Sequence, residues 1–160
     1  MCRSREADRI ARPSFQAQMN PIHRLSDLPK LLAVLAVAYF LTSLGHFSHN
    51  AEFICEYPNL PASLTRAKVY AVWIGITSVG VIGFLLIRKR FVMTGLLLVA
   101  VYALLGFDGL GHYALAPMAW HTPMANITIL SEVVAAALLL TATLGLLVLR
   151  VRQRHRVAAG

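Results

Sequence analysis

Four long runs of apolar residues dominate this chain, and they limit what it can fold into more than any other feature. They span approximately residues 30–48, 68–87, 91–115 and 123–149. About twenty apolar residues are needed to cross the hydrocarbon of a bilayer as an α-helix. The pattern therefore predicts an all-α integral membrane protein, an antiparallel four-helix bundle in which residues 29–150 form the four-span transmembrane domain.

The composition also indicates a protein surrounded by lipid. Hydrophobic residues make up 58% of the chain and charged residues only 14%, whereas about a quarter of a typical soluble domain is charged. The formal net charge is +8, but the basic residues lie at the ends of the apolar runs and not in a separate domain. We therefore expect these charges to meet the lipid bilayer and not nucleic acid. A membrane protein partner and a homo-oligomer both stay open.

The distribution of Lys and Arg predicts the sidedness. Thirteen of the fifteen precede the first run, follow the fourth, or lie in the turn between the second and third. Only Arg66 and Lys68 lie in the other two connections. Basic residues are retained on the cytoplasmic side, so we expect both termini there, in a cytoplasmic (inner) membrane of the bacterial type. Residues 1–28 are predicted to be a disordered tail and residues 151–160 a basic tail.

The first run leaves two questions about the beginning of the chain. Arg24 and Lys30 precede a rather short apolar stretch, so a cleaved signal peptide is an alternative to a retained helix. We expect retention because three further spans follow. Met19 is an alternative start site.

The two cysteines, Cys2 and Cys55, fall on opposite sides of the predicted membrane, and no internal disulfide is expected.

Titratable residues are concentrated on the predicted non-cytoplasmic side. Four of the six histidines and four of the seven acids lie there: His46, His49, His112, His121, Glu52, Glu56, Asp108 and Glu132. Counted from the basic boundary at about 1.5 Å per helical residue, His46 lies about 24 Å away, and Asp108 and Glu132 about 27 Å. We therefore expect several helices to present polar side chains at one level, just inside the outer face.

Spacing and chemistry favour a metal site at that level. His46 and His49 are three residues apart, and Asp108 and His112 are four apart, so each pair projects from one helical face. Glu132 has apolar neighbours, and a carboxylate at that depth is costly unless it is paired, hydrated or protonated. Imidazole and carboxylate ligands together suit zinc, iron, manganese or copper. We expect these five residues to bind a divalent or transition metal ion for redox or hydrolytic chemistry, with Glu132 and Asp108 as catalytic groups.

Two alternatives belong to other classes of protein. A b-type haem held by His46 and His112 is one, although counting along straight helices puts the two at heights that differ by about 9 Å. A non-catalytic subunit, whose polar residues tie helix ends together or dock a partner, is the other. The chain contains no zinc-protease, P-loop, nucleophile-elbow or dinucleotide-binding motif. The sequence therefore selects no reaction and leaves enzymatic activity open.

Overall fold

A computed structural model describes the backbone of residues 21–158 and the side chains of residues 30–156. Within these limits the regular structure is entirely helical, with no strands. The α-helices are α1 (Pro21–Glu52), α2 (Arg66–Arg88), α3 (Val92–Leu105), α4 (Gly111–Leu115) and α5 (Pro123–Ala158). Short 3-10 turns cover Ile54–Glu56, Asp108–Leu110 and Met118–Trp120.

Four helical segments are long and apolar enough to cross a membrane. They are Lys30–Glu52, Arg66–Arg88, Val92–Leu115 and Pro123–Arg156. Large apolar side chains such as Val37, Ile74 and Leu138 remain more than half exposed, and apolar surface this extensive suits lipid better than water. The prediction of an all-helical chain with four candidate membrane spans is confirmed.

The first and last helices are longer than predicted. Helix α1 begins at Pro21, a residue type that favours the first helical position, so residues 21–28 are helical and not part of a disordered tail. Residues 1–20, with the rest of that prediction, lie outside the described part of the chain. Helix α5 continues to Ala158, well past residue 149. No glycine or proline follows Gly145 to end it before that point.

The third predicted span is interrupted, although residues 91–115 were expected to form one helix. Helix α3 ends at Leu105, and a 3-10 turn separates it from the short α4. Three glycines within six residues (Gly106, Gly109 and Gly111) weaken an α-helix by about 1 kcal/mol each relative to alanine. A Cβ at Gly106 would lie 2.6 Å from the Tyr39 hydroxyl and 2.6 Å from the Ala136 Cβ. The break therefore lies where the chain passes directly against Tyr39 of α1 and Ala136 of α5.

Helices α2 and α3 meet through glycines and a tight turn. A Cβ at Gly95 would lie 2.6 Å from the backbone oxygen of Gly83, so the two backbones are in direct contact, as small residues allow between membrane helices. In the turn, Arg90 has a φ of 69°, and the Phe91 N–H donates to the Leu86 carbonyl at 2.9 Å. This is the hydrogen bond of a Schellman cap, with arginine where glycine is usual.

The apolar core lies between α1, α3 and α5. Its buried members are Leu32, Tyr39, Leu96, Val99, Tyr102, Ala103, Ala135, Ala136 and Leu139. At its centre the rings of Tyr39 and Tyr102 lie 4.5 Å apart, centroid to centroid, and the Tyr39 hydroxyl donates to the Tyr102 carbonyl at 3.3 Å. Polar residues that continue the same face of α1 toward its carboxyl end are thereby held against α5 and the residue 106–122 segment.

Candidate functional site

Two helices each present a buried polar face to the other. On α1, Ser43, His46 and Asn50 are three and four residues apart and share one face, and none is more than 7% exposed. On α5, Thr128 and Glu132 are four residues apart, and Glu132 is 1% exposed. Because α1 and α5 pack against each other, these two faces meet in the interior of the protein.

The closest approach of two ionisable groups there joins His46 and Glu132. The His46 Nε2 lies 3.8 Å from the Glu132 Oε2. On the other side of the imidazole, Nδ1 lies 3.5 Å from the Thr128 hydroxyl, which itself donates to the Ala125 carbonyl at 2.9 Å. That hydroxyl can still accept a hydrogen bond from His46 Nδ1–H, and in the tautomer that donates it His46 Nε2 is unprotonated and faces the carboxyl group.

Gly109 lies beside the His46–Glu132 pair. A Cβ at that position would lie 3.5 Å from the Glu132 Oε2 and 3.8 Å from the His46 Nε2. The 3-10 turn of residues 108–110 therefore passes close to both of these atoms without placing a side chain of residue 109 beside them. The Glu132 Oε2 has no hydrogen-bond partner among the described residues.

Two more histidines extend the site. The His112 ring lies 5.4 Å from the His46 ring, centroid to centroid, and the Asn50 amide nitrogen lies 3.3 Å from its Nε2. His121 has its Nδ1 3.2 Å from the Pro117 carbonyl, to which it donates. Each ring thus uses one nitrogen, while His112 Nδ1 and His121 Nε2 have no partner within the described part of the chain.

Tyr57 closes the site from the connection between α1 and α2. It is 3% exposed, and its ring contacts the rings of all three buried histidines. Its hydroxyl lies 2.9 Å from the His49 Nδ1. Burial raises the pKa of Tyr57 to about 12, although the neighbouring Thr128 hydroxyl acts in the opposite direction. The phenol is therefore neutral at ordinary pH and able to donate.

We call these eight side chains the polar cluster: Ser43, His46, Asn50, Tyr57, His112, His121, Thr128 and Glu132. Five of them carry a buried atom that makes no hydrogen bond within the described structure: Ser43 Oγ, Asn50 Oδ1, His112 Nδ1, His121 Nε2 and Glu132 Oε2. A buried donor or acceptor costs about 1–3 kcal/mol where nothing, including water, bonds to it. A bound water, an ion or a ligand can supply the partner that such an atom needs.

The structure brings together three of the five predicted site residues: His46, His112 and Glu132. His49 lies beside them, half-buried, with its Nε2 4.0 Å from the Glu56 Oε2. Asp108 is exposed. The shared helical face expected for Asp108 and His112 is wrong, because a 3-10 turn and the start of α4 lie between them. Catalytic roles for Glu132 and Asp108 remain predictions.

No group of three or more His, Cys, Asp or Glu side chains is placed to hold a metal ion in the described part of the chain. The geometry gives a reason: the cluster histidines meet ring against ring, and His112 and His121 direct one nitrogen each toward Asn50 and Pro117. These two nitrogens are therefore engaged with protein groups and are not free to bind an ion. Metal binding stays a prediction.

The expected height difference between His46 and His112 is wrong, since their rings are in contact. Counting along a straight third span fails because α3 ends at Leu105 and the chain turns before His112. With the rings in contact, a porphyrin between them would require α1 and α4 to move apart. The haem hypothesis stays a prediction without geometric support.

The sequence contains signals for some of the cluster residues that the sequence analysis did not predict. The spacing of Ser43, His46 and Asn50 already predicts one polar helical face, as does that of Thr128 and Glu132. Nothing local marks Tyr57, which lies in a loop and reaches the cluster only because that connection folds over it.

Two open volumes, of about 350 and 340 Å³, lie along α2, and neither is lined by a residue of the polar cluster. Apolar side chains dominate both linings, with Arg88 at the end of the second. A large apolar pocket with converging polar groups is the usual first candidate for a ligand site, and the converging titratable groups are absent from these linings. The chemistry of the described residues is concentrated in the polar cluster.

Four apolar helices and a polar cluster enclosed between them are the features of an α-helical membrane protein. Comparisons with protein-family models, with curated proteins and with solved structures found no match to this chain. Its function therefore has to be argued from the geometry of the site.

Proposed function

We propose that this small polytopic membrane protein holds a proton at an acid–base site formed by His46 and Glu132 on the non-cytoplasmic side of the membrane. The observation that carries the proposal is the 3.8 Å separation of His46 Nε2 and Glu132 Oε2, between side chains that are 2% and 1% exposed. Ionisable residues enclosed within membrane spans mark proton relays and substrate paths.

The surroundings favour a neutral pair over an ion pair. A buried ion pair is stable only where further hydrogen bonds satisfy the remaining lone pairs of the carboxylate, and the Glu132 Oε2 has none among the described residues. A protonated Glu132 needs only one acceptor, which the bare His46 Nε2 supplies. In this state the proton can move from Oε2 to Nε2 and back, as general acid–base chemistry requires.

An antiparallel four-helix bundle with both termini cytoplasmic, in a bacterial-type cytoplasmic membrane, is part of this proposal. Gly83 lies against Gly95, and Gly80 lies against Tyr102, so positions on α2 and α3 run in opposite directions. The turn at residues 88–90 and the basic end of α5 carry seven Lys and Arg residues, which favours placing both on the cytoplasmic side. The polar cluster then faces the other side.

Infrared spectroscopy of the protein in lipid nanodiscs tests the site. A protonated carboxyl group has a C=O stretch distinct from that of a carboxylate, so Glu132→Gln should remove one protonated-carboxyl band from the wild-type spectrum. Glu52→Gln is the matched control, because Glu52 is exposed and paired with Arg66 and should contribute no such band. An unchanged band pattern in Glu132→Gln would mean that Glu132 is ionised and that the proposal is wrong.

Elemental analysis of protein purified without chelators separates this site from the predicted metal site. A stoichiometric metal ion that is lost in both His46→Gln and Glu132→Gln would replace the acid–base site with the metal site expected for His46, His49, Asp108, His112 and Glu132. If Glu132→Gln and Glu52→Gln behave alike in every measurement, the non-catalytic, partner-docking alternative gains support.

A further inference from the structure

A line of polar side chains leads from the acid–base pair toward the surface. At the outer end, Glu56 is 40% exposed, and its Oε2 lies 4.0 Å from the Nε2 of His49, which is 12% exposed. The other ring nitrogen of His49, Nδ1, lies 2.9 Å from the hydroxyl of Tyr57. Exposure thus decreases step by step from a solvated carboxylate to a buried phenol.

The inner half of this line of side chains lies inside the protein. The Tyr57 hydroxyl lies beside that of Thr128, the Thr128 hydroxyl lies 3.5 Å from His46 Nδ1, and His46 Nε2 lies 3.8 Å from Glu132. Hydroxyl groups and imidazoles each donate and accept hydrogen bonds. Every member between the two carboxyl groups can therefore receive a proton on one side and release one on the other.

We propose that these side chains form a proton relay between the buried acid–base site and the non-cytoplasmic surface, in the order Glu132, His46, Thr128, Tyr57, His49 and Glu56. The inference rests on the proposed function, since it supplies the path by which the proton on Glu132 exchanges with water. It also gives Tyr57 a role that neither the metal nor the haem hypothesis contains.

Each transfer conserves protons and charge. Glu132 releases its proton to His46 Nε2, and His46 Nδ1–H passes a proton to Thr128. The Thr128 hydroxyl turns away from the Ala125 carbonyl, to which it donates at 2.9 Å, and passes its proton to Tyr57. The Tyr57 hydroxyl proton moves to His49 Nδ1. His49 Nε2–H then protonates the Glu56 carboxylate. One proton leaves Glu132, one arrives at Glu56, and reorientation of the hydroxyls and rings restores the starting arrangement.

Three links are not hydrogen bonds in the structure: the links at the two ends are too long, and the Thr128 hydroxyl donates to the Ala125 carbonyl and not to Tyr57. The distances of 3.8 Å and 4.0 Å at the two ends require a small rotation of the side chains or one bridging water at each, which is nearly as favourable as a direct hydrogen bond. The other two cluster histidines lie beside this line: the His112 Nε2 faces the Asn50 amide, and the His121 Nδ1 faces the Pro117 carbonyl.

Hydrogen–deuterium exchange of the Glu132 carboxyl group, followed by its infrared band after transfer to D₂O, tests the relay. Tyr57→Phe keeps the ring contacts and removes the hydroxyl. We expect exchange to slow by about tenfold or more, because the proton must then await local opening of the buried site. Tyr113→Phe is the matched control: its hydroxyl donates to Asn126 at 2.9 Å, outside the relay, and exchange should match the wild type.

Variants of Thr128 interrupt the proposed relay at a second position, independently of Tyr57. Thr128→Val removes the hydroxyl at nearly constant shape and should slow exchange as Tyr57→Phe does, whereas Thr128→Ser keeps the hydroxyl and should restore the wild-type rate. Thermal unfolding of each variant checks that it is folded. Slowing in Thr128→Val without recovery in Thr128→Ser would indicate a structural effect and overturn the relay.

The outcomes separate the two proposals. If the wild type has no protonated-carboxyl band that Glu132→Gln removes, the acid–base site and the relay both fail. If the band is present but exchanges at the same rate in the wild type, Tyr57→Phe and Thr128→Val, the acid–base site stands and the relay is overturned.

Discussion

The part of the site that the sequence predicted consists of three individual residues. His46, His112 and Glu132 were recognised because titratable side chains are rare in apolar helices, and the structure brings all three together. The sequence does not single out Tyr57, because a tyrosine near the end of a membrane span is usual at the interface. Its burial depends on how the α1–α2 connection folds, which no local pattern encodes.

Titration of Tyr57 is the residue-scale prediction. Burial raises its pKa to about 12, against about 10 for an unperturbed tyrosine. The raised value stabilises the fold fully below about pH 10, and the contribution is lost as the pH rises through the folded value. The phenolate absorbance of the wild type minus that of Tyr57→Phe isolates this residue from the other four tyrosines. A difference that titrates at about pH 10 would contradict its burial.

At the scale of helices, hydrophobic length identified all four candidate spans but not the break in the third. Gly106, Gly109 and Gly111 signalled weakness there, yet a glycine-containing membrane helix often continues. The break depends on tertiary contacts, since Gly106 passes against Tyr39 and Ala136. It also explains why counting residues along a straight helix misplaced His112.

The contact between α2 and α3 gives the element-scale prediction. A Cβ at Gly95 would lie 2.6 Å from the Gly83 carbonyl oxygen and 2.8 Å from the Ile87 nitrogen, and backbone atoms cannot yield as a side chain does. Gly95→Ala should destabilise the protein by about 1–3 kcal/mol. Denaturant unfolding in detergent micelles measures it.

Gly75→Ala is the matched control for this contact. A Cβ at Gly75 meets nothing within 4 Å, so alanine there should be neutral or stabilise α2 by up to about 1 kcal/mol. Equal stabilities of the Gly95→Ala and Gly75→Ala proteins would show that the two helices do not approach as closely as described.

For the whole molecule, composition and apolar length were enough to predict an all-helical chain with four candidate spans. Sidedness depends on the cell's translocation machinery and not on packing, so the distribution of Lys and Arg remains its basis. The position of the polar cluster relative to the two aqueous compartments follows from that sidedness. Which molecules exchange protons with the cluster depends on the same placement.

The two cysteines allow a direct test of the sidedness. Cys55 is exposed in the α1–α2 connection, and Cys2 lies in the predicted cytoplasmic tail. A membrane-impermeant maleimide applied to intact spheroplasts should label Cys2→Ser, which retains Cys55. It should label Cys55→Ser only after the membrane is opened. The reverse pattern would place the polar cluster on the cytoplasmic side.

The pairing of His46 with Glu132 is most directly tested by nitrogen NMR of protein labelled with ¹⁵N in its histidines, with the His46 signals assigned from His46→Asn. The account predicts a neutral His46 ring at neutral pH, protonated at Nδ1, whose Nε2 signal shifts in Glu132→Gln but not in Glu52→Gln. A doubly protonated His46, or an Nε2 signal indifferent to Glu132→Gln, would contradict it.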